Sequence, residues 1–552
     1  MMTKKQTTLV TIGLLLGVLL EALDGTIVGT AMPRVVAELG GINLLGWVFA
    51  AYILTSTVTT PIYGKLSDLY GRMAFYLGGM AIFMLGSIAC GFARDMTQLV
   101  IFRGVQGLGA GAMMPVAIAL AQTVFPPEDR GKVQAAISGA FGLSSVFGPT
   151  LGGLIVDNLD WRWVFFSGVP VGVLAVVILY FNLPEVGRRS LEVEGKRSVD
   201  LAGAALLAIG ATSLMLGFQW GGDSSLGWLS WQALVSFGLA LVALSGFVLV
   251  ELRAVDPIIP LRTFRSSTFS LSVLTTFLTG AVMIAVLSYL PLFMQGVLGA
   301  SATNSGTIIT PAMIALVVGT TVTGRLVGRR IEQYKWLGAF AALVMLVAAA
   351  FMMTLNVNSA AWQLIIYMVI FGFGLGITFP LYSIVVSVSM DRRYLGVAMG
   401  LLTFFRNMGS AISVAVFGSI LAGQLKSEIV DQIHNRLPAD VAAKLPLDQL
   451  STAGPNALTS PEALGALRQT FGRFDPSGNL FNSILEAIKV ALSNSLHTMF
   501  VGGTILAALA LLVTLALKNE RINFAKLRAR AAAQQQAQAQ PIEVEVQAST
   551  AS

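Results

Sequence analysis

The chain of 552 residues is 55% apolar and only 11% charged, with a mean hydropathy of +0.77. A soluble protein of that length needs far more charge to cover its surface, so the composition implies an all-α polytopic membrane protein. The formal charge of +7 is spread over short loops on one side of the apolar runs, which argues against a nucleic-acid partner and follows the orientation rule for Lys and Arg. A single cysteine, Cys90, rules out a disulfide framework within the chain. Lys4 and Lys5 precede a run too long for a cleavable signal and without a small-residue cleavage pattern.

Apolar runs long enough to span a bilayer fall at 9–32, 44–63, 74–93, 98–122, 134–156, 163–183, 200–219, 231–252, 268–294, 306–324, 336–355, 361–388, 395–423 and 492–517. Lys65 and Arg72, Arg130 and Lys132, Arg188, Arg189, Lys196 and Arg197 fall on the side of the N-terminus under that count. So do Arg253, Arg262 and Arg265, then Arg325, Arg329, Arg330 and Lys335, then Arg392 and Arg393, then the tail from Lys518. The opposite loops hold only Arg34, Arg94 and Arg162, so the alternation predicts fourteen spans with both ends cytoplasmic.

The halves echo each other. Gly64-Lys65-Leu66-Ser67-Asp68-Leu69-Tyr70-Gly71-Arg72 after span 2 is similar to the stretch Gly324 to Arg330 after span 10, with Gly328 where the first copy has Asp68. Gly107, Gly109 and Pro115 in span 4 match Gly374, Gly376 and Pro380 in span 12, as a duplicated transporter bundle would show. The expected domains are a six-helix bundle over 1–185, an inserted pair of spans over 186–262 and a second six-helix bundle over 263–518. Within the second bundle, 424–490 forms an outer insertion. Leu425, Ile429, Ile433, Ile484 and Ile488 recur there at helical spacing, which predicts helices continuing beyond the bilayer, joined by a Pro/Gly/Ser-rich segment near 446–478. The hairpin reads first as a solvated brace and second as a platform for an outer-side partner. Residues 519–552 are expected to form a disordered cytoplasmic tail.

Glu21 and Asp24 are the acids set well inside an apolar run, three residues apart and so on one helical face. An acid at that depth can be held charged or protonated, which makes it a candidate for cation binding or proton exchange; the competing reading is a permanent ion pair. Arg103 in span 4 and Arg406 in span 13 each need an anionic partner or backbone carbonyls. Arg406 has the choice of Asp24, an anionic substrate or a carbonyl. Gly148, Gly152 and Gly153 give span 5 a small-residue face beside Pro149, suited to tight packing or to a pivot.

Asp68 sits in a tight turn, where it can cap the following helix, and Gly64 and Gly71 permit close approach. Tyr52, Met113, Phe141, Gln295, Phe405 and Arg406 are candidate lining for a greasy substrate cavity. No catalytic residue and no metal site is expected: His434, His497 and Cys90 make no cluster, and neither a GxSxG nor a P-loop occurs.

The loop from Gly64 to Arg72 resembles the signature loop of the major facilitator superfamily. With it come Arg103, Gln106, Gly107 and Gly109 in span 4 and Gly148-Pro149-Thr150-Leu151-Gly152-Gly153 in span 5. Leu23-Asp24-Gly25-Thr26-Ile27-Val28 in span 1, Trp161-Arg162-Trp163-Val164-Phe165 opening span 6, and Pro291, Gln295 and Gly299 after span 9 are similar to the fourteen-helix drug/proton antiporter branch, the EmrB/QacA type. The resemblance implies two six-helix bundles plus two inserted helices in a bacterial plasma membrane. It implies proton-coupled multidrug efflux, with a dedicated exporter of an endogenous amphiphile such as a lipid or siderophore as the alternative. It implies no cofactor beyond the proton gradient, and as partners only membrane lipids and a small amphiphilic substrate of a monomeric protein. It also places Arg103 near the first helix, gives Glu21, Asp24 and Arg103 the proton coupling, and makes Gly64, Asp68, Gly71 and Arg72 a conformational switch and Gly148 to Gly153 an antiporter hinge.

Overall fold

A computed structural model describes residues 4–39, 44–183, 200–222, 226–254, 257–299, 302–326, 334–390, 394–436 and 479–518. Each expected apolar run contains a helix. In chain order they are α1 (Lys4–Leu39), α2 (Leu45–Tyr70), α3 (Arg72–Gly91), α4 (Met96–Val124), α5 (Pro127–Asn158), α6 (Trp163–Asn182), α7 (Leu201–Gly222) and α8 (Trp231–Glu251). The second series is α9 (Ser267–Leu292), α10 (Ala302–Leu326), α11 (Tyr334–Met352), α12 (Ala361–Ser389), α13 (Leu395–Arg436) and α14 (Asn479–Leu515). No strand occurs among the described residues.

Local chemistry sets several boundaries. The Asp95 side chain accepts the Gln98 N–H at 2.8 Å and starts α4, and Ser230 and Ser266 cap α8 and α9 in the same way. Gly71 has φ 104°, a value that suits glycine alone, and this lets α3 begin one residue after α2 ends. Pro61, Pro115, Pro311 and Pro380 lie inside α2, α4, α10 and α12, where neighbouring helices can re-satisfy the backbone.

The duplication read from the sequence appears in the packing. In the first half α1 packs on α4, α5 and α6, while α4 packs on α2 and α3. In the second half α9 packs on α12, α13 and α14, while α12 packs on α10 and α11, so every pair recurs eight helices later. The second half encloses an apolar core of its own, while the core built on α1, α3 and α4 runs on into the second half at Phe269, Val273, Val397 and Met399. The halves meet along two related seams, α2 against α13 and α5 against α10, with α4 also touching α13. The inserted helix α7 lies across the first seam. Its Trp220 ring meets Trp47 of α2 at 6.4 Å, and Trp228 in the turn after α7 donates to the Ser419 hydroxyl of α13 at 2.8 Å.

Eleven helices of the described residues are long and apolar enough to cross a membrane by themselves. The others in the series are α2 and α5, which are less apolar, and α10, whose described apolar stretch, Thr310–Leu326, is shorter. All three lie at the seams between halves, where a helix faces protein and need not match lipid on every side; Thr55, Ser56, Thr57, Thr59 and Thr60 of α2 illustrate this.

The helices expected to run on past the apolar stretches do so. At 42 residues α13 is about 63 Å long, twice the ~30 Å of a hydrocarbon core. Ile429 and Ile433 are fully buried with Ile484 and Ile488 of α14, and Arg436 pairs with Glu486 at 3.1 Å. Residues 437–478 and the tail 519–552 lie outside the described residues, as do Arg188, Arg189, Lys196, Arg197, Gly328, Arg329, Arg330, Arg392 and Arg393. Joining about residue 426 to 488 through a short Gly/Ser linker is expected to leave a protein that inserts and transports small substrates, because loop closure is cheap between fixed helices. Loss of all transport in a correctly inserted deletion variant would make the hairpin part of the transport core.

Candidate functional site: buried charges between the helices

Asp24 projects from α1 towards α4, where Arg103 and Gln106 stand three residues apart on one face. Arg103 Nη1 donates to Asp24 Oδ2 at 2.6 Å and to Gln106 Oε1 at 2.6 Å, while Gln106 Nε2 donates to Asp24 Oδ1 at 2.8 Å. From α2, the Val48 carbonyl accepts Arg103 Nε at 3.4 Å and the Tyr52 ring lies 4.3 Å beneath the guanidinium. Arg103 is 1% exposed and Asp24 9%. A buried pair of this kind is strongly destabilising to break, because either charge left alone costs about 3–5 kcal/mol.

Two features of this site had no place among the expected functional residues. Gln106 fixes the second Asp24 oxygen, and the signal for it was its i, i+3 spacing from Arg103. Glu38, at the far end of α1, accepts Trp161 Nε1 at 3.0 Å and Arg162 Nη1 at 2.6 Å, so the Trp161-Arg162 motif clamps the start of α6 to α1.

The expected cavity residues separate. Tyr52 supports Arg103. Met113 is fully buried in the apolar core built on α1, α3 and α4. Phe405 packs on Phe404 and Phe264 and is not among the residues that border the junction cavity described below. Gln295 lies in the π-helical turn after α9, sixteen residues and so about 24 Å of helix beyond Thr279. Phe141 and Arg406 do come together. Phe141 of α5 meets the Phe379 ring of α12 edge-on at 6.5 Å, and the Arg406 guanidinium stands 5.0 Å over the same ring. Arg406 also borders a narrow cavity with Thr279, Thr378, Ser383 and Thr403. Glu21 is the acid facing Arg406 from α1.

At the end of the molecule that carries Lys65, Arg72, Arg130 and Arg325, glycines bring the halves into backbone contact. A Cβ on Gly64 would lie 2.5 Å from the Gly396 carbonyl oxygen, and one on Gly131 would lie 2.8 Å from that of Gly324. Asp68 accepts Arg72 Nε at 3.1 Å and Nη2 at 2.5 Å, and its other oxygen accepts the Val397 N–H at 3.1 Å across the seam, at the N-terminus of α13. The second seam has the glycines without the carboxylate. Gly148 of α5 rests against Thr26 of α1, whose hydroxyl donates to the Ser144 carbonyl at 3.2 Å, and Gly152 is buried beside it in sequence while Gly153 has open space. Pro149 lies within α5.

Gly64→Val is expected to wedge the first seam apart, since only backbone stands opposite. A thiol-reactive probe placed at the basic end would then label faster, and turnover would fall. Unchanged labelling would show that the seam tolerates the extra bulk.

The Major Facilitator Superfamily model matches residues 14–414. The multidrug transporter protein MdtP of Bacillus subtilis is 36% identical over 535 residues, covering 95% of each chain. Multidrug resistance protein 3 of the same organism is 36% identical over 433 residues, covering 78% of this chain and 83% of its own. Among solved structures, the proton:xylose symporter XylE superposes with a TM-score of 0.57 at 13% identity, covering 94% of this chain and 98% of its own. The human organic anion transporter MFSD10 does so with a TM-score of 0.56 at 15% identity, covering 91% and 98%. With its duplicated bundles, buried intramembrane charges and glycine seams, the chain is a multi-pass membrane transporter and belongs to the major facilitator superfamily.

Proposed function

We propose that this transporter is a proton-coupled antiporter that exports lipophilic or cationic drugs from a bacterial cell by alternating access. The observation that carries the reading is the Asp24–Arg103–Gln106 group, an acid placed beside a permanent cation within the helices of a fold whose relatives include multidrug transporters. An acid so placed has two stable fates, ion pair or protonated and released, and the change between them is a proton-binding event. The fourteen helices act as fourteen spans. The basic loops then face the cytoplasm, and the glycine seams close the cytoplasmic end. Asp68 holds that closed state by bridging α2 and α13, and the small face from Gly148 to Gly153 keeps α5 packed on α1 while the halves rock.

A proton moving down about 150 mV releases roughly 3.5 kcal/mol, enough for two to three decades of substrate gradient. The test is counterflow in proteoliposomes with an internal pH dye. Substrate-dependent proton movement, with one stoichiometry in both directions, is expected. Substrate flux without proton movement would leave a facilitator or a channel. The long α13–α14 hairpin favours a second reading, export of an endogenous amphiphile to an outer-side acceptor, in which deletion of the hairpin stops release of that amphiphile while dye export survives.

A further inference from the structure

Two oppositely ionisable side chains outside the Asp24 network, Glu21 and Arg406, face each other from different halves. Glu21 Oε2 is buried without a hydrogen-bond partner. The Arg406 guanidinium makes no hydrogen bond or ion pair among the described residues and rests over the Phe379 ring. Each lies within electrostatic reach of the other, yet no ion pair joins them. Asp24 is engaged by Arg103 and Gln106 at both its oxygens and makes no hydrogen bond or ion pair with Arg406. The cavity beside Arg406 supplies hydroxyls from Thr279, Thr378 and Thr403 and contains no acid. Phe141 and Phe379 add an apolar surface contributed by both halves.

An orphaned carboxylate oxygen seeks a donor, and a guanidinium with five N–H groups seeks an acceptor. A ligand with only a cationic group satisfies Glu21 and leaves Arg406 unpaired beside it. A ligand with only an anionic group does the reverse. We propose that Glu21 and Arg406 form a two-point site for a zwitterionic amphiphile, its ammonium on Glu21, its carboxylate or phosphate on Arg406, and its apolar body against Phe141 and Phe379. The proposal rests on the reading of the protein as an exporter of amphiphiles and names the class it takes best. Such a ligand brings no net charge into the membrane interior. It also ties α1 of one half to α13 of the other, so its binding favours the state in which the halves close around it.

The test is calorimetric binding to the full chain in lipid nanodiscs, with empty nanodiscs as the blank. Three matched probes are used at neutral pH: N-octyl-β-alanine, the cation N-methyloctylamine and the anion N-octanoyl-β-alanine. The zwitterion is expected to bind at least about tenfold tighter than either, the value of one charge-assisted hydrogen bond. In Arg406→Gln its affinity falls to that of the cation, in Glu21→Gln to that of the anion, and Arg406→Lys retains the preference. Equal affinities for the three probes in the unmodified protein would overturn the proposal, as would an equal loss for all three in a monodisperse Arg406→Gln. Dye export by energised vesicles tests the efflux reading separately. Its absence leaves the affinity ranking intact as a test, and its presence without that ranking removes only the two-point site.

Discussion

Asp24→Asn is expected to abolish uphill export while leaving a protein that still inserts. The amide keeps a hydrogen bond to Gln106 but removes the charge opposite Arg103, which stays ionised and 1% exposed. An uncompensated charge at that depth costs about 3–5 kcal/mol, so a marked fall in the thermal midpoint accompanies the loss. Asp24→Asn combined with Arg103→Gln removes both charges and is expected to recover most of the midpoint without recovering export. This separates the structural share of the pair from its use in coupling. Proton release on substrate addition, followed with a pH dye in vesicles, should vanish in both variants. Release at the original rate in Asp24→Asn would remove the acid from the coupling path.

Much of this site was legible in the sequence because intramembrane charge is costly and therefore conspicuous. Depth alone singled out Asp24, and the resemblance to the antiporter branch placed Arg103 beside the first helix, where it lies. The Gly64-to-Arg72 loop was equally legible, since glycines flanking an acid in a tight turn imply a close approach, and Gly396 is what approaches. Uncharged side chains escaped. Gln106 stands in the span 4 motif three residues from Arg103, but its role shows only in the carboxylate it touches. Met113 and Phe405 carry the same greasy character in a core as in a cavity, so composition could not assign them a side. Arg406 had three candidate partners, and helix order carries no distance between halves. Only the fold sets Glu21, rather than Asp24, opposite it.

Asp68→Asn is expected to slow turnover by tenfold or more with little change in substrate affinity. Asp68 is buried and bridges three elements: its own helix, Arg72 at the start of α3, and the Val397 N–H at the N-terminus of α13. The amide can still accept the Val397 N–H, but the attraction between carboxylate and helix N-terminus is lost, as is the charge opposite Arg72. Charge-assisted bonds of this kind contribute about 1.5–3 kcal/mol each, so losing their charge shifts the balance between closed and open seams by roughly ten- to a hundredfold. At the second seam Gly131 and Gly324 meet through backbone, and Gly328 stands where the first copy of the loop has Asp68. Spin labels on the basic ends of α2 and α13 would report the shift as a longer distance population in the absence of substrate. The residue stands far along α2 from Tyr52 and the buried charges, so ligand contacts stay in place and affinity changes only through the shifted population. A large loss of affinity with an unaltered distance distribution would show that Asp68 acts on the binding site and not on the seam.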